Sequence, residues 1–227
     1  MRDAVIVSTA RTPLVKAARG AFNNTTGATL GAWSIKAAVT RAGLEGGEVD
    51  DVIMGCAVQQ GSTGTNVARL AALRAGLPVT VPGMTIDRQC SSGLMTIATA
   101  AKQVITDHMD IVVAGGVETI SKGVGSGKLF VEPDRELLEM HPHIYMPMIG
   151  TAEVVAKRYN ISREAQDEYS LQSQQRTAAA QAAGKFDDEI IACTATMAVM
   201  DKETKEVSYH EVTATKDDCN RPDTTLE

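Results

Sequence analysis

The sequence predicts an α/β protein: a parallel-core sheet covered by helices, joined to a mixed α+β lobe. Three observations predict it. Over residues 1–116, short apolar runs alternate with stretches whose apolar residues recur at helical spacing. The runs are apolar at consecutive positions, as strands covered on both faces are. From about residue 117 both patterns give way to Gly, Pro and Met with little periodicity, which divides the chain into 1–116 and 117–227.

The elements follow in order. Ala4 to Ser8 is a Val/Ile run and predicts a buried strand. Leu30, Trp33, Ala37 and Ala38 lie at helical spacing, and Gly43 closes that helix. Asp51-Val52-Ile53-Met54 predicts the next strand. Asn66 to Ala75 predicts a helix stopped by Gly76 and Pro78. Met84-Thr85-Ile86 predicts a strand, and Leu94, Ile97, Ala101, Val104 and Ile105 form a helical stripe. Asp110 to Ala114 is a strand ending in Gly115-Gly116. Such alternation makes parallel strands with right-handed crossovers. In the second lobe, Ser162 caps a long Ala/Gln-rich helix over about 163–183 that stops at Gly184. Three short strands are expected at 189–191, 196–200 and 206–209, the last two joined by the polar turn Asp201-Lys202-Glu203.

Composition narrows the function classes. The 227 residues carry 22 Lys+Arg against 28 Asp+Glu, a net charge of −6, with a pI near 5.3. That balance opposes a protein that holds nucleic acid by net charge. Apolar residues are 44% and charged residues 22%, the proportions of a globular chain. No apolar run reaches the roughly 20 residues of a membrane helix, and no signal peptide precedes the first element, so a reducing cytoplasm is expected. The four cysteines, Cys56, Cys90, Cys193 and Cys219, form no CxxC pair, which disfavours a zinc finger or a dithiol redox pair.

Cys90 is the candidate nucleophile. It stands in Asp87-Arg88-Gln89-Cys90-Ser91-Ser92-Gly93, between an expected strand and an expected helix. Unpaired N–H groups at a helix N-terminus favour a thiolate and can hold a developing oxyanion. Small neighbours leave room for a substrate. A packing cysteine at a tight turn is the alternative. Gly123-x-Gly125-x-Gly127-Lys128 is a poor phosphate loop: Lys122 and Leu129 stand where a Walker loop needs Gly and Ser/Thr, so a plain Gly-rich loop is expected. His141-Pro142-His143 has no third ligand nearby and is a weak metal site. His108 and His210 read as surface residues.

Several stretches together resemble the thiolases. Gln89-Cys90-Ser91-Ser92-Gly93-Leu94 resembles their nucleophile motif, and Val5 to Pro13 their N-terminal strand and turn. Gly55-Cys56-Ala57-Val58-Gln59-Gln60-Gly61 with Asn66-Val67-Ala68-Arg69 resembles the segment before their second helix. Gly115-Gly116-Val117-Glu118-Thr119-Ile120-Ser121 resembles their GG-x-E-x-x-S. Gly150-Thr151-Ala152-Glu153, Ile161 to Glu164 and Gln166-Asp167-Glu168 resemble the loop-domain helix region, and Asn220 to Thr225 that domain's final signature.

The resemblance implies an acyltransferase of acetyl-CoA metabolism. Cys90 would attack the 3-keto carbon of a 3-ketoacyl-CoA. Acetyl-CoA would leave as its enolate, protonated by a second cysteine, and a CoA thiol would then take the acyl group from Cys90. The reverse condensation joins two acetyl-CoA. No cofactor is implied, since coenzyme A is a substrate. Partners would be acyl-CoA, CoA and further copies of the chain, joined through the N-terminal domain around Gln59 to Ala68; no nucleic acid or membrane is implied. Residues 1–116 would be an incomplete N-terminal domain and 117–227 an incomplete loop domain covering the CoA site. Met148 would contact the pantetheine and Arg221 the nucleotide. Pro147 stands where many thiolases carry histidine before that methionine, which bears on the pantetheine contact. The Asn-Glu-Ala-Phe-like, Gly-His-Pro and Cys-x-Gly-Gly-Gly motifs of the family's second half do not occur. The chain alone is therefore expected to be inactive. The alternatives are a noncatalytic thiolase-like fragment, or an acyl-CoA-binding subunit that needs a partner chain.

Overall fold

The computed structural model describes residues 2–123 and 131–226. Helix α1 (Gly27–Arg41) ends in a last turn followed by Gly43 at φ +71°, where a glycine costs nothing sterically. It leads to β1 (Asp51–Gly55), all five residues of which are buried. Helix α2 (Val67–Arg74) stops at Gly76, φ +94°. Then come β2 (Gly83–Ile86), α3 (Ser92–Thr106) and β3 (Val112–Gly116). The short α4 (Ile120–Gly123) follows.

These strands form one parallel sheet in the order β2-β1-β3, with Ile53 opposite both Met84 and Ala114. Val52 and Ile53 are completely buried, because helices cover the central strand on both faces. Helices α1 and α2 approach closely: a Cβ on Gly31 would lie 2.9 Å from the Ala71 Cβ. Carboxylates pin the strand starts. Asp50 accepts from the Asp110 and Ile111 N–H groups, and buried Asp51 accepts from the Gln103 side chain.

The remaining elements are α5 (Arg135–Met140), α6 (Met148–Arg158), α7 (Arg163–Ala182), β4 (Cys193–Met200) and β5 (Val207–Ala214). The Ser162 hydroxyl accepts from the Ala165 N–H at the start of α7, and Gly184 at φ +66° follows its end. Strands β4 and β5 form an antiparallel hairpin around the expected turn. Contacts group the chain into two units. The first comprises 1–128 and 187–219; the second comprises 129–186 and 220–227. The hairpin belongs to the first, whose core takes Cys193 and Ala195 alongside Val52 and Met54.

Three expectations need correction. Ala4 to Ser8 joins no ladder among the described residues, and Val5, Ile6 and Val7 are 76, 74 and 74% exposed. Hydrophobicity alone does not make a strand, because its N–H and C=O groups need a neighbour. The first pairing occurs at Arg11, which exchanges backbone hydrogen bonds with Glu189 and Ile191. The expected strand at 189–191 is thereby reduced to a single bridge between Arg11 and Ile190. Finally, the inward side of α3 is not the apolar stripe. Ser92, Thr96 and Ala100 are buried, while Leu94 and Ile97 are exposed. Thr96 spends its hydroxyl on the Gly93 and Gly115 carbonyls, so a polar residue sits against the sheet without an unmet hydrogen bond.

Candidate active site

The carboxyl ends of the three parallel strands gather the candidate groups, where open α/β sheets favour a site. Each strand delivers one group there: Cys56 after β1, Cys90 after β2 and Glu118 after β3.

Cys90 lies in the turn from β2 to α3 and is exposed. The turn is held by its own polar groups. Asp87 accepts from the Gln89 N–H at 2.7 Å, and Gln89 takes a left-handed φ of +49°. The buried Ser92 hydroxyl accepts from the Arg88 N–H at 2.8 Å and donates to the Gln89 carbonyl at 2.6 Å. The Ser91 hydroxyl donates to the Arg88 carbonyl. In the first turn of α3, the Ser92 N–H donates to Gln89 and the Met95 N–H to Ser91. The Gly93 and Leu94 N–H groups belong to the first turn of α3, three and four residues after Cys90, where N–H groups have no intrahelical acceptor. An exposed sulfur just ahead of a helix N-terminus can form an acyl thioester, and N–H groups of such a terminus can stabilise an oxyanion.

Cys56 is the opposite kind of thiol. It is 1% exposed and lies 3.6 Å from a Glu118 carboxylate oxygen. Burial, and then the Glu118 charge, pushes it up to about 11. Burial likewise pushes Cys193 up to about 11. Cys219 is raised by burial and then by Asp218.

Glu118 is a residue that sequence patterns bring to notice only as part of a motif. Its carboxylate accepts from the Ala57 and Val58 N–H groups at 3.0 and 3.2 Å, which ties the exit of β1 to the exit of β3. Asn66 is another. It takes φ +53° at the start of α2, donates to the Gly83 carbonyl and accepts from the Thr85 hydroxyl. Thr65 and Asn66 are both left-handed, a succession that only the structure reveals.

In sequence and in fold the chain is similar to known proteins. Residues 4–227 match the family described as "Thiolase, N-terminal domain". The chain belongs to the thiolase family. It is 41% identical to the Bacillus subtilis 3-ketoacyl-CoA thiolase across its whole length, covering 58% of that protein. Against the Cupriavidus necator acetyl-CoA acetyltransferase it is 44% identical over 84% of the chain and 51% of the relative. The structure of the Bacillus anthracis acetyl-CoA acetyltransferase superposes with a TM-score of 0.80 at 36% identity, over all of this chain and 57% of that one. The chain thus spans somewhat more than half the length of these thiolases.

The other candidate residues of this thiolase chain lie in the second unit. Met148 opens α6 behind Pro147 and is 75% exposed. Arg221 is exposed, and its N–H donates to the Gln174 side chain of α7 at 2.7 Å. His141 and His143 are exposed beside the end of α5. Of the glycine run Gly123-x-Gly125-x-Gly127-Lys128, only Gly123 is described, as the end of α4; the remainder lies outside the described residues. Among the described residues no helix is long and apolar enough to cross a membrane.

Proposed function

We propose that the chain is the acyl-carrying part of a thiolase-type acyltransferase, with Cys90 as the nucleophile. The observation that supports this most directly is the exposed Cys90 thiol in the turn between β2 and the N-terminus of α3. In thiolysis the Cys90 sulfur bonds to C3 of a 3-ketoacyl-CoA. The C2–C3 bond breaks, and its electron pair leaves on C2 of acetyl-CoA as the enolate. A proton converts that enolate to acetyl-CoA. A CoA thiol then attacks the acyl carbon and releases Cys90. The names of the relatives cover both cleavage and condensation, and Met148 and Arg221 are the residues proposed to meet the pantetheine and nucleotide of CoA.

General acid–base steps are needed on both sides of this cycle. The four histidines of the chain are His108, His141, His143 and His210, none in a Gly-His-Pro context. That supports a second reading for the 227 residues by themselves: an acyl-CoA-binding or acyl-accepting polypeptide whose turnover needs groups supplied by another polypeptide. The chain is also proposed to associate with further copies through residues 1–116, around Gln59 to Ala68.

The test is incubation with acetyl-CoA, with and without the C-terminal half of a thiolase relative as a second polypeptide, followed by peptide mapping. One acetyl group on the Cys90 peptide, absent from Cys90→Ala, is expected. Acetylation elsewhere, or none in either mixture, overturns the assignment.

A further inference from the structure

Gly55 is the last residue of β1 and stands in register with Gly116, the last residue of β3. The two glycines have different surroundings. A Cβ on Gly55 would lie 2.6 Å from the Ser92 carbonyl carbon, 2.7 Å from the Ser92 Cβ and 2.8 Å from the Gly93 nitrogen. Two of those three atoms are backbone and cannot swing away. A Cβ on Gly116 would meet its nearest neighbours at 3.5 and 3.7 Å, which is ordinary contact. The first turn of α3 therefore rests on the bare backbone of Gly55, and not on that of Gly116.

Gly55 is itself held in place. The Val117 N–H donates to the Gly55 carbonyl at 2.9 Å, and the next residue, Cys56, donates its N–H to Ile86 at the end of β2. Glu118 fixes the Ala57 and Val58 N–H groups just beyond. On the other side of the contact, the Ser92 hydroxyl is bonded to Arg88 and Gln89, the two residues before Cys90.

We propose that Gly55 is a positioning residue for the Cys90 nucleophile, acting through Ser92 on the turn that carries the thiol. This rests on the assignment of Cys90 as nucleophile. A side chain at 55 lifts the α3 terminus, and the lift is passed through the two Ser92 hydrogen bonds to the 88–90 turn. The thiol is then displaced from its place at the head of α3.

The experiment measures iodoacetamide alkylation of each cysteine against pH in the full 227-residue chain, by peptide mapping, for wild type, Gly55→Ala, Gly116→Ala and Ser92→Ala. In Gly55→Ala the Cys90 rate at neutral pH should fall about tenfold. Cys219 should keep its rate, and buried Cys56 and Cys193 should stay protected. Simple destabilisation would instead expose those two and speed them up. Gly116→Ala should behave as wild type. If Gly55→Ala does not fold, Ser92→Ala carries the test, because it cuts the same relay at the hydrogen bonds and should slow Cys90 alone. An unchanged Cys90 rate in folded Gly55→Ala or in Ser92→Ala, or an equal fall in Gly116→Ala, overturns the proposal. A wild-type Cys90 no faster than Cys219 would instead remove the nucleophile assignment itself.

Discussion

Arg11 and Asp217, 206 residues apart in the chain, meet in a two-pronged ion pair: Nη1 and Nη2 of Arg11 donate to Oδ1 and Oδ2 of Asp217 at 2.7 and 2.9 Å. Asp217 also accepts from the Leu14 N–H. The pair secures the segment after the β4–β5 hairpin to the turn at residues 11–14, within the first unit. Hydrogen bonds from Arg11, and then from Leu14, hold the Asp217 carboxyl below the usual carboxylate range, against the opposing effect of burial. A depressed carboxyl stabilises the fold above its unfolded pKa, and that contribution is lost as pH falls through the folded value. Asp217→Asn should therefore cost about 1–3 kcal/mol at neutral pH, as a charge-assisted hydrogen-bonding group does. The difference from wild type should shrink below about pH 4. Urea unfolding at neutral and acid pH checks both parts; a difference that does not vary with pH would refute the linkage.

Cys90 should be the first thiol alkylated by iodoacetamide at neutral pH. Cys56 and Cys193 are buried and pushed up to about 11, and Cys219 is raised by burial and Asp218. Thiols held protonated react slowly. Peptide mapping of a partly labelled sample decides it, and faster labelling of any other cysteine contradicts it.

The 227-residue polypeptide on its own should show no sustained thiolysis of acetoacetyl-CoA. Each missing acid–base group accounts for roughly a hundredfold to ten-thousandfold in rate, so the loss of several leaves little to measure. Adding the C-terminal half of a thiolase relative should restore turnover. Steady turnover by the polypeptide alone, abolished by Cys90→Ala, would mean that one of its own four histidines or another group serves as the base.

The exposed side of α3 should promote association. Leu94 is 71% and Ile97 44% exposed on one helix, a pairing that water disfavours. Sedimentation velocity over micromolar concentrations should show species larger than a monomer, reduced in a Leu94→Lys, Ile97→Lys variant. A single monomer boundary throughout would count against it.

Ser162→Ala removes the hydroxyl that accepts from Ala165 at the head of α7. Loss of such a cap costs about 1 kcal/mol. Thermal unfolding followed by helical circular dichroism should show the shift, partly recovered by Ser162→Asp.

How much of this was legible beforehand depended on the range of the forces involved. Helix ends were legible because Gly43, Gly76, Gly184 and Ser162 act on their own neighbours. The buried run at Asp51 to Met54 was legible because a strand covered on both sides cannot tolerate polar residues along its middle. Cys90 was visible from its place between a strand and a helix. Ala4 to Ser8 was misjudged because its apolar content says nothing about whether a neighbouring strand exists. The inward face of α3 was misjudged because Thr96 meets its needs through Gly115, nineteen residues away. Glu118 bonding to Ala57 and Val58, and the bare contact of Gly55 with Ser92, are tertiary facts with no local signature.

The bare run Val5-Ile6-Val7 also governs how this polypeptide behaves in a crowded solution. Three adjacent β-branched residues, exposed at 74% or more and in no ladder among the described residues, are the material from which intermolecular cross-β stacks nucleate. No proline or charge interrupts them; the nearest acidic side chain is Asp3 and the nearest basic ones are Arg2 and Arg11. Unless another strand captures that run, colloidal lifetime will be set by its first few residues, and a chaperone that recognises extended aliphatic segments would find its grip there.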